Sequence, residues 1–240
     1  MDLRGLAAEA ALSADNAGLH TRTRRIGEVT ITDVAVSEEA RSYPAGRYIT
    51  LEGDPSAQGL SALIQRALLQ ILPPSGRLLA VGLGNPDITH DSLGARVIRA
   101  VAARSGRRYS LCAVETDVAA KTGIDAARLV RAAARELHSD CVIAFDALSC
   151  AAPRRIGRTV QITDAGLIPG SGAGNSRLGL TRRTLGIPIA AVGVPTITAL
   201  SSVTGEPSDK RFHITTADID ALAAAWSETL AGALDLLVEK

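Results

Sequence analysis

Residues 78–83 spell LLAVGL and residues 141–145 spell CVIAF, and these uninterrupted apolar runs decide the fold class. Such runs are typical of strands that are covered by helices on both faces of a sheet. Helices are predicted at residues 61–72, 91–104, 124–137 and 215–238, and further strands at 110–114, 159–163 and 187–194. Thr215 and Asp218 resemble a capping box at the start of the last helix. The alternation of strands and helices predicts an α/β fold with a mainly parallel sheet.

Residues 1–50 follow a different pattern and are predicted to be an N-terminal appendage to a main domain at residues 51–240. A short helix is predicted at residues 3–14. Residues 28–36 (EVTITDVAV) alternate polar and apolar side chains, as a half-buried strand does, and residues 43–51 predict a turn and a second strand. These two strands could pair as a β-hairpin or extend the edge of the main sheet.

Composition argues against nucleic-acid and membrane partners. The formal net charge is +1 and aromatic residues make up 2% of the chain, so neither a strong basic field nor stacking platforms for bases are expected. Arg22, Arg24 and Arg25 form a compact basic run that is interpreted as a solvated loop. No apolar run suggests a membrane span, and charged residues interrupt any signal-peptide core in the first fifteen positions. A cytoplasmic protein is predicted.

The cysteines and histidines do not predict a metal site or a cofactor. Cys112, Cys141 and Cys150 form no CxxC pair, and the first two lie in apolar runs as small hydrophobic residues. Cys150 is the candidate nucleophile among the three, but the sequence shows no evident histidine partner for it. No HExxH motif or local His/Asp/Glu cluster is present, although a site assembled from distant segments stays open.

Two aspartates follow the two deciding strands. Asp91 comes shortly after the first run and Asp146 directly after the second, where ligands meet an open α/β sheet. Two carboxyl groups in one crevice cannot both ionise cheaply, so one keeps its proton, and the pair can supply an acid and a base to activate water on a peptide carbonyl. The alternatives are that Asp91 caps the next helix and that Asp146 is a strand-end turn residue. His90 is expected to point away from Asp91.

Glycine-rich segments beside these strand ends are candidates for substrate contact. Gly82 and Gly84 begin a dinucleotide-binding pattern, but Asp87 stands where its third glycine should be. Residues 169–175 (PGSGAGN) could be a flexible loop, or could offer backbone N–H groups to an oxyanion or to an extended peptide. The residues predicted to bind substrate are Gly84, Asn85, Gly170, Ser171, Gly172 and Asn175.

Eight short motifs, in this order, resemble the germination protease family, the spore endopeptidases that degrade small acid-soluble spore proteins. They are VGLGN (81–85), THDSLG (89–94), KTG (121–123), FDALS (145–149), QITDAG (161–166), PGSGAGN (169–175), TLGIP (184–188) and GVPT (193–196). The resemblance implies a peptidase with two catalytic aspartates, which fall on Asp91 and Asp146. It also implies a three-layer αβα domain related to the hydrogenase-maturation endopeptidases, a homotetramer, and a location in the forespore or spore core.

The sequence also departs from the family pattern. His90 stands where the family has Pro, Leu167 where it has His, and the segment at residues 202–211 is shorter. These departures favour, as an alternative, a non-catalytic homologue that binds peptides; a metal-assisted maturation peptidase on the same fold is another. Residues 6–10 (LAAEA) resemble the end of the family's zymogen-processing sequence. Because Gly5 replaces its acidic residue, we expect the Gly5–Leu6 junction to stay uncut.

Overall fold

The computed structural model describes residues 18–40, 44–169, 178–206 and 212–239. The predicted helix at residues 3–14 and the Gly5–Leu6 junction lie outside the described residues.

Ten strands form one mixed sheet in the described part of the chain. They are β1 Leu19–Ile26, β2 Val29–Val36, β3 Gly46–Glu52, β4 Gly76–Gly82, β5 Arg104–Ser105, β6 Tyr109–Glu115, β7 Cys141–Cys150, β8 Thr159–Thr163, β9 Ile189–Ala199 and β10 His213–Ile214. Their order across the sheet is β1-β2-β3-β8-β9-β7-β4-β6-β5, and β10 pairs with β9. The parallel part consists of β9, β7, β4 and β6, and the strands on both sides of it are antiparallel.

Helices cover both faces of the sheet, which confirms the predicted three-layer αβα class. They are α1 Leu60–Leu68, α2 Leu93–Arg99, α3 Ala119–Thr122, α4 Ala126–Glu136, α5 Arg182–Leu185, α6 Ser201–Thr204 and α7 Ile219–Glu239. The apolar sides of α1, α2 and α7 share one core with the sheet. Residues of α4 and α5 share the core on the opposite face. Burial of a sheet on both faces requires this arrangement, because its central strands have no polar side.

The long C-terminal helix α7 belongs to the core. By length and composition it is apolar enough to cross a membrane, contrary to the expectation from sequence, but half of its most apolar window is buried inside the protein. Trp226, Leu230 and Leu234 are almost fully buried, and the Trp226 indole N–H donates to the Gly157 carbonyl at 2.8 Å. Packing against the sheet therefore explains the apolar composition of α7.

The N-terminal strands continue the main sheet. β2 pairs with β3 as a hairpin and β3 pairs with β8, so both arrangements considered for the two predicted strands occur together. The division of the chain at residue 50 stays a prediction, and β3 runs across that position. β1 was not predicted: Arg22, Arg24 and Arg25 lie on this strand, paired with β2, and not in a loop.

Several predicted boundaries are wrong for physical reasons. The predicted helix at residues 91–104 ends at Arg99, and the short strand β5 follows it. The last helix begins at Ile219, four residues after Thr215, whose hydroxyl donates to the Thr196 carbonyl at 2.6 Å. β7 and β9 both run five residues beyond the predicted ends at 145 and 194. Because β7 is longer than predicted, Asp146 lies within the strand and pairs with Gly193 of β9.

Glycine allows α2 to lie directly against the ends of β4 and β7. A Cβ atom at Gly94 would lie 2.6 Å from the Phe145 carbonyl oxygen and would collide with the backbone of Leu83. One at Gly82 would collide in turn with the Gly94 carbonyl. The neighbouring atoms are backbone and cannot move aside, so glycine at these positions fixes the distance between helix and sheet.

We expect Gly94→Ala to destabilise the protein by about 3 kcal/mol. This value is the upper end of the usual cost of overpacking, because the backbone atoms that the new Cβ would meet cannot move aside. The matched control is Gly232→Ala, also in a helix, where the added Cβ would meet only the Ser61 side chain, at 3.3 Å. That control should be neutral or stabilising by up to about 1 kcal/mol. Urea unfolding of both variants measures the difference. Equal effects at the two positions would show that the close approach at Gly94 does not matter.

Candidate active site

Asp146 lies on the sheet, just beyond the end of a neighbouring strand. On one side it pairs with Gly193 of β9, and on the other β4 ends at Gly82, opposite Phe145. The Asp146 residue is 8% exposed. The interpretation of Asp146 as a strand-end turn residue is therefore wrong, since β7 continues to Cys150. The Asp146 side chain is therefore buried, and it lies beside the point where the neighbouring strand β4 ends.

Asp91 ends a short 3₁₀ turn between β4 and α2, Thr89–Asp91. Its carboxylate accepts a hydrogen bond from the Asn85 N–H at 2.7 Å. Gly84 has a φ of +100°, and a Cβ atom there would collide with the Asp91 carbonyl oxygen. The helix-capping interpretation is wrong, because α2 has Ser92 at its N-cap position. The Asp91 carboxylate instead closes the loop that follows β4.

The two carboxyl groups have different surroundings. Burial, and then the negative charge of Asp91, raise the pKa of Asp146 to about 8, while the Ala147 N–H lowers it. Burial also raises the pKa of Asp91, but the hydrogen bond from Asn85 and the charge of His90 oppose this rise. The environment of Asp146 therefore favours its protonated form more strongly than the environment of Asp91 does.

His90 affects the site more than the sequence predicts. Whether it points away from Asp91 stays a prediction, but its charge, when it is protonated, lowers the pKa of Asp91. A second group missed by sequence reasoning is Asp117, whose negative charge raises the pKa of Asp91. A third is Lys121, which forms ion pairs with Asp87 and Asp117. The KTG motif at 121–123, one of the eight that carry the family resemblance, was the available signal for Lys121, but it did not indicate these ion pairs.

Two of the residues predicted to bind substrate lie at this site. Gly84 and Asn85 adjoin Asp91 through the contacts described above. The other four, Gly170, Ser171, Gly172 and Asn175, lie outside the described residues, and their role stays a prediction.

The chain on either side of that segment is anchored on the Asp146 face of the sheet. Leu167 and Leu180 exchange two backbone hydrogen bonds, of 2.9 and 2.7 Å, and both belong to the core that contains Val142 and Ala144 of β7. Strand alternation places Asp146 on the same face as these two residues of β7.

Cysteine chemistry and a metal ion have no visible support in the described residues. The Cys150 thiol is buried and donates to the Ala152 carbonyl at 3.3 Å. Cys141 is also buried, and burial raises the pKa of its thiol to about 12, which disfavours the reactive thiolate. Within residues 18–40, 44–169, 178–206 and 212–239, no group of three or more His, Cys, Asp or Glu is placed to hold a metal ion.

Comparison with known proteins decides the family. The model of the germination protease family matches residues 5–215, most of the chain. This chain belongs to the germination protease family. A germination protease of Clostridium tetani is 32% identical over 216 residues, covering 80% of this chain and 67% of that protein. One from Bacillus cytotoxicus is 33% identical over 220 residues, covering 80% of this chain and 59% of that protein. The predicted enzyme class, a protease and hence a hydrolase, is confirmed.

Among solved structures, the NiFe hydrogenase maturation protease HycI from Thermococcus kodakarensis resembles this chain with a TM-score of 0.43 and 18% identity. The similarity covers 70% of this chain and 99% of that protein.

The buried proton on Asp146 predicts a pH-dependent effect of Asp146→Asn on stability. The folded-state pKa of about 8 is above the ordinary value of 3.8, so the contribution of this group to stability is complete below pH 4 and is lost as the pH rises towards 8. Asn cannot ionise, so the melting temperature of the variant should rise relative to wild type between pH 5 and 8.5.

Asp54→Asn is the matched control, because a hydrogen bond from Ser56 holds the pKa of Asp54 below its usual value. Asp54 is ionised in both the folded and the unfolded state throughout that pH range. The difference in melting temperature between Asp54→Asn and wild type should therefore stay constant. A constant difference for Asp146→Asn as well would mean that Asp146 is already ionised at pH 5.

Proposed function

We propose that this chain is an endopeptidase of the aspartic type, in which Asp91 is the general base and Asp146 the general acid. The observation that carries the proposal is the unequal pair of carboxyl groups, Asp91 in the turn between β4 and α2 and Asp146 on β7 beside the end of β4. Burial raises the pKa of Asp146 to about 8, whereas the Asn85 N–H donates to Asp91 and favours its ionised form. Such a pair supplies both roles that hydrolysis of an amide requires.

The chemical steps follow from these protonation states. A water molecule between the two carboxyl groups gives a proton to Asp91 as its oxygen bonds to the peptide carbonyl carbon, and Asp146 gives its proton to the carbonyl oxygen. The neutral tetrahedral intermediate then collapses: its C–N bond breaks, the nitrogen takes the proton from Asp91, and one hydroxyl returns a proton to Asp146. One water is consumed, and both carboxyl groups recover their starting states.

Membership of the germination protease family supports a proposal about the substrates, the assembly and the cellular location of this chain. The relatives are named germination proteases. We therefore propose small acid-soluble spore proteins as substrates, a homotetrameric assembly, and a location in the cytoplasm of the forespore or in the spore core. No cofactor is required by the proposed steps.

The departures from the family pattern do not remove a group from the aspartate pair. Leu167 is buried in the core against Leu180, where its side chain contributes to packing. His90 is compatible with catalysis, because its charge favours the ionised form of Asp91. The catalytic interpretation is therefore preferred to a non-catalytic peptide-binding homologue.

We expect Asp91→Asn and Asp146→Asn each to reduce cleavage of spore proteins by more than about a hundredfold, since neither amide can exchange a proton in the required way. Asp235→Asn is the control, because Asp235 pairs with Arg104 beside β5. Product mass spectrometry and single-turnover rates measure the loss. If either active-site variant is folded and cleaves like the control, that aspartate has no part in the mechanism.

Cleavage should also survive treatment with EDTA and the substitution Cys150→Ala. The proposed acid and base are both carboxyl groups, and the Cys150 thiol is buried and bonded to the backbone. Rates before and after chelation, and with zinc or nickel added back, measure this directly. Loss of activity that a metal restores would favour the maturation-peptidase alternative.

A further inference from the structure

Lysine is rare in this chain. Of 26 basic residues, lysine occupies only positions 121, 210 and 240, and the others are arginine. Lys121 is the lysine that the structure describes, and it lies at the rim of the crevice, on the short helix α3 after β6. An otherwise arginine-rich chain therefore has an ammonium group beside the aspartate pair.

Lys121 connects two segments that are far apart in the sequence. Its Nζ donates to Asp87 Oδ2 at 2.7 Å, lies 2.6 Å from Asp117 Oδ2, and reaches Asn85 Oδ1 at 3.5 Å. Asp117 belongs to the turn after β6, whereas Asn85 and Asp87 belong to the loop after β4. The ammonium group thus links the loop that precedes Asp91 to the next strand of the sheet.

The same loop is bonded to the Asp91 carboxylate. Asn85 Oδ1 accepts from the Asp87 N–H at 3.0 Å, and the Asn85 N–H donates to Asp91 Oδ2 at 2.7 Å. A continuous series of hydrogen bonds therefore runs from Lys121, through Asn85 and Asp87, to Asp91. Displacement of the loop would weaken the one hydrogen bond that orients this carboxylate and favours its charge.

Lys121 also lies among groups of the opposite charge. The titratable groups that act on Asp91 are His90 on its own turn and Asp117 after β6, and Asp91 in turn acts on Asp146 of β7. Pairing with Asp117 and Asp87 raises the pKa of Lys121, and the hydrogen bond from Lys121 lowers the pKa of Asp117. Without the ammonium group, the loop and the turn would repel each other, and the charge of Asp117 would act on Asp91 without compensation.

The geometry explains why arginine at position 121 would not be equivalent to lysine. An ammonium nitrogen directs three donors from one point, and Lys121 serves acceptors on three different residues. A guanidinium group is planar and larger, and suits a single carboxylate bound by two parallel hydrogen bonds. Arg99 makes that second kind of contact with Glu115, at 2.8 and 2.6 Å.

We propose that Lys121 is a positioning residue that holds the loop after β4 against the turn after β6 and thereby orients the Asp91 carboxylate for attack by water. Its catalytic consequence rests on the proposed function, whereas its effect on the loop does not.

The test compares Lys121→Met and Lys121→Arg with the control Arg104→Met. Arg104 also pairs with two carboxylates, those of Asp235 and Glu239, but lies on the edge strand β5, away from the aspartate pair. Amide hydrogen exchange at Asn85, followed by NMR, reports the loop without any need for activity. Initial rates on a purified small acid-soluble spore protein, measured between pH 4 and 9, report catalysis.

In Lys121→Met we expect exchange at the Asn85 N–H to accelerate at least tenfold, and kcat to fall about tenfold or more with little change in KM, because misplacement of a catalytic group affects the chemical step. The acid limb of the pH profile should move to higher pH, since Asp91 loses the hydrogen bond that favours its charge. Lys121→Arg should recover part of kcat, and Arg104→Met should match wild type.

Unchanged Asn85 exchange in Lys121→Met overturns the proposal, whatever the activity. A fall in kcat with no shift of the acid limb also overturns it, since a general loss of structure would produce that result. If Asp91→Asn remains active, the proposed function fails instead, and the exchange measurement still decides the role of Lys121 in the loop.

Discussion

Backbone contact between the start of α2 and the ends of β4 and β7 is the constraint on which the site depends. Gly82 and Gly94 let the helix approach to a distance that no side chain would permit. Gly84, with its positive φ, then lets the loop turn beneath Asp91. Because neither side of this contact can move, the 3₁₀ turn that carries Asp91 is held at the crevice that β7 bounds with Asp146. The positions of the two carboxyl groups are thus set by contacts between backbone atoms.

The difference between the carboxyl groups follows from that placement. Asp146 projects from the middle of a central strand, where burial removes water and its neighbour's charge opposes ionisation. Asp91 lies in a loop, where an N–H of that loop and the adjacent His90 can stabilise its charge. One fold position therefore favours an acid and the other a base, although the two side chains are chemically identical. The same difference makes Asp146 a source of instability as the pH rises, so folding stability alone does not explain an aspartate at this position.

Sequence reasoning succeeded where a pattern is local. The runs at 78–83 and 141–145 predicted buried strands because only a sheet covered on both faces tolerates them, and each run led directly to one aspartate. β1 was missed because its Thr and Arg residues are exposed on both faces, so no apolar alternation exists to detect. Its strand character comes from pairing with β2. The early end of α2 was missed for a related reason, since the short strand β5 is defined by its pairing with β6.

The role of Lys121 shows what a sequence cannot indicate by spacing alone. Asn85, Asp87, Asp117 and Lys121 come from two segments about thirty residues apart, and only the parallel pairing of β4 with β6 brings them together. Thr116 strengthens that junction, because both its backbone N–H and its hydroxyl donate to the Gly82 carbonyl, at 2.9 and 3.0 Å. Two sets of contacts thus join the segments that follow β4 and β6. The Thr116 hydrogen bonds hold the strand ends together, and the Lys121 ion pairs link the loop after β4 to the turn after β6. A loop fixed at both points can keep the half-buried Asp91 carboxylate oriented despite the repulsion of its acidic neighbours.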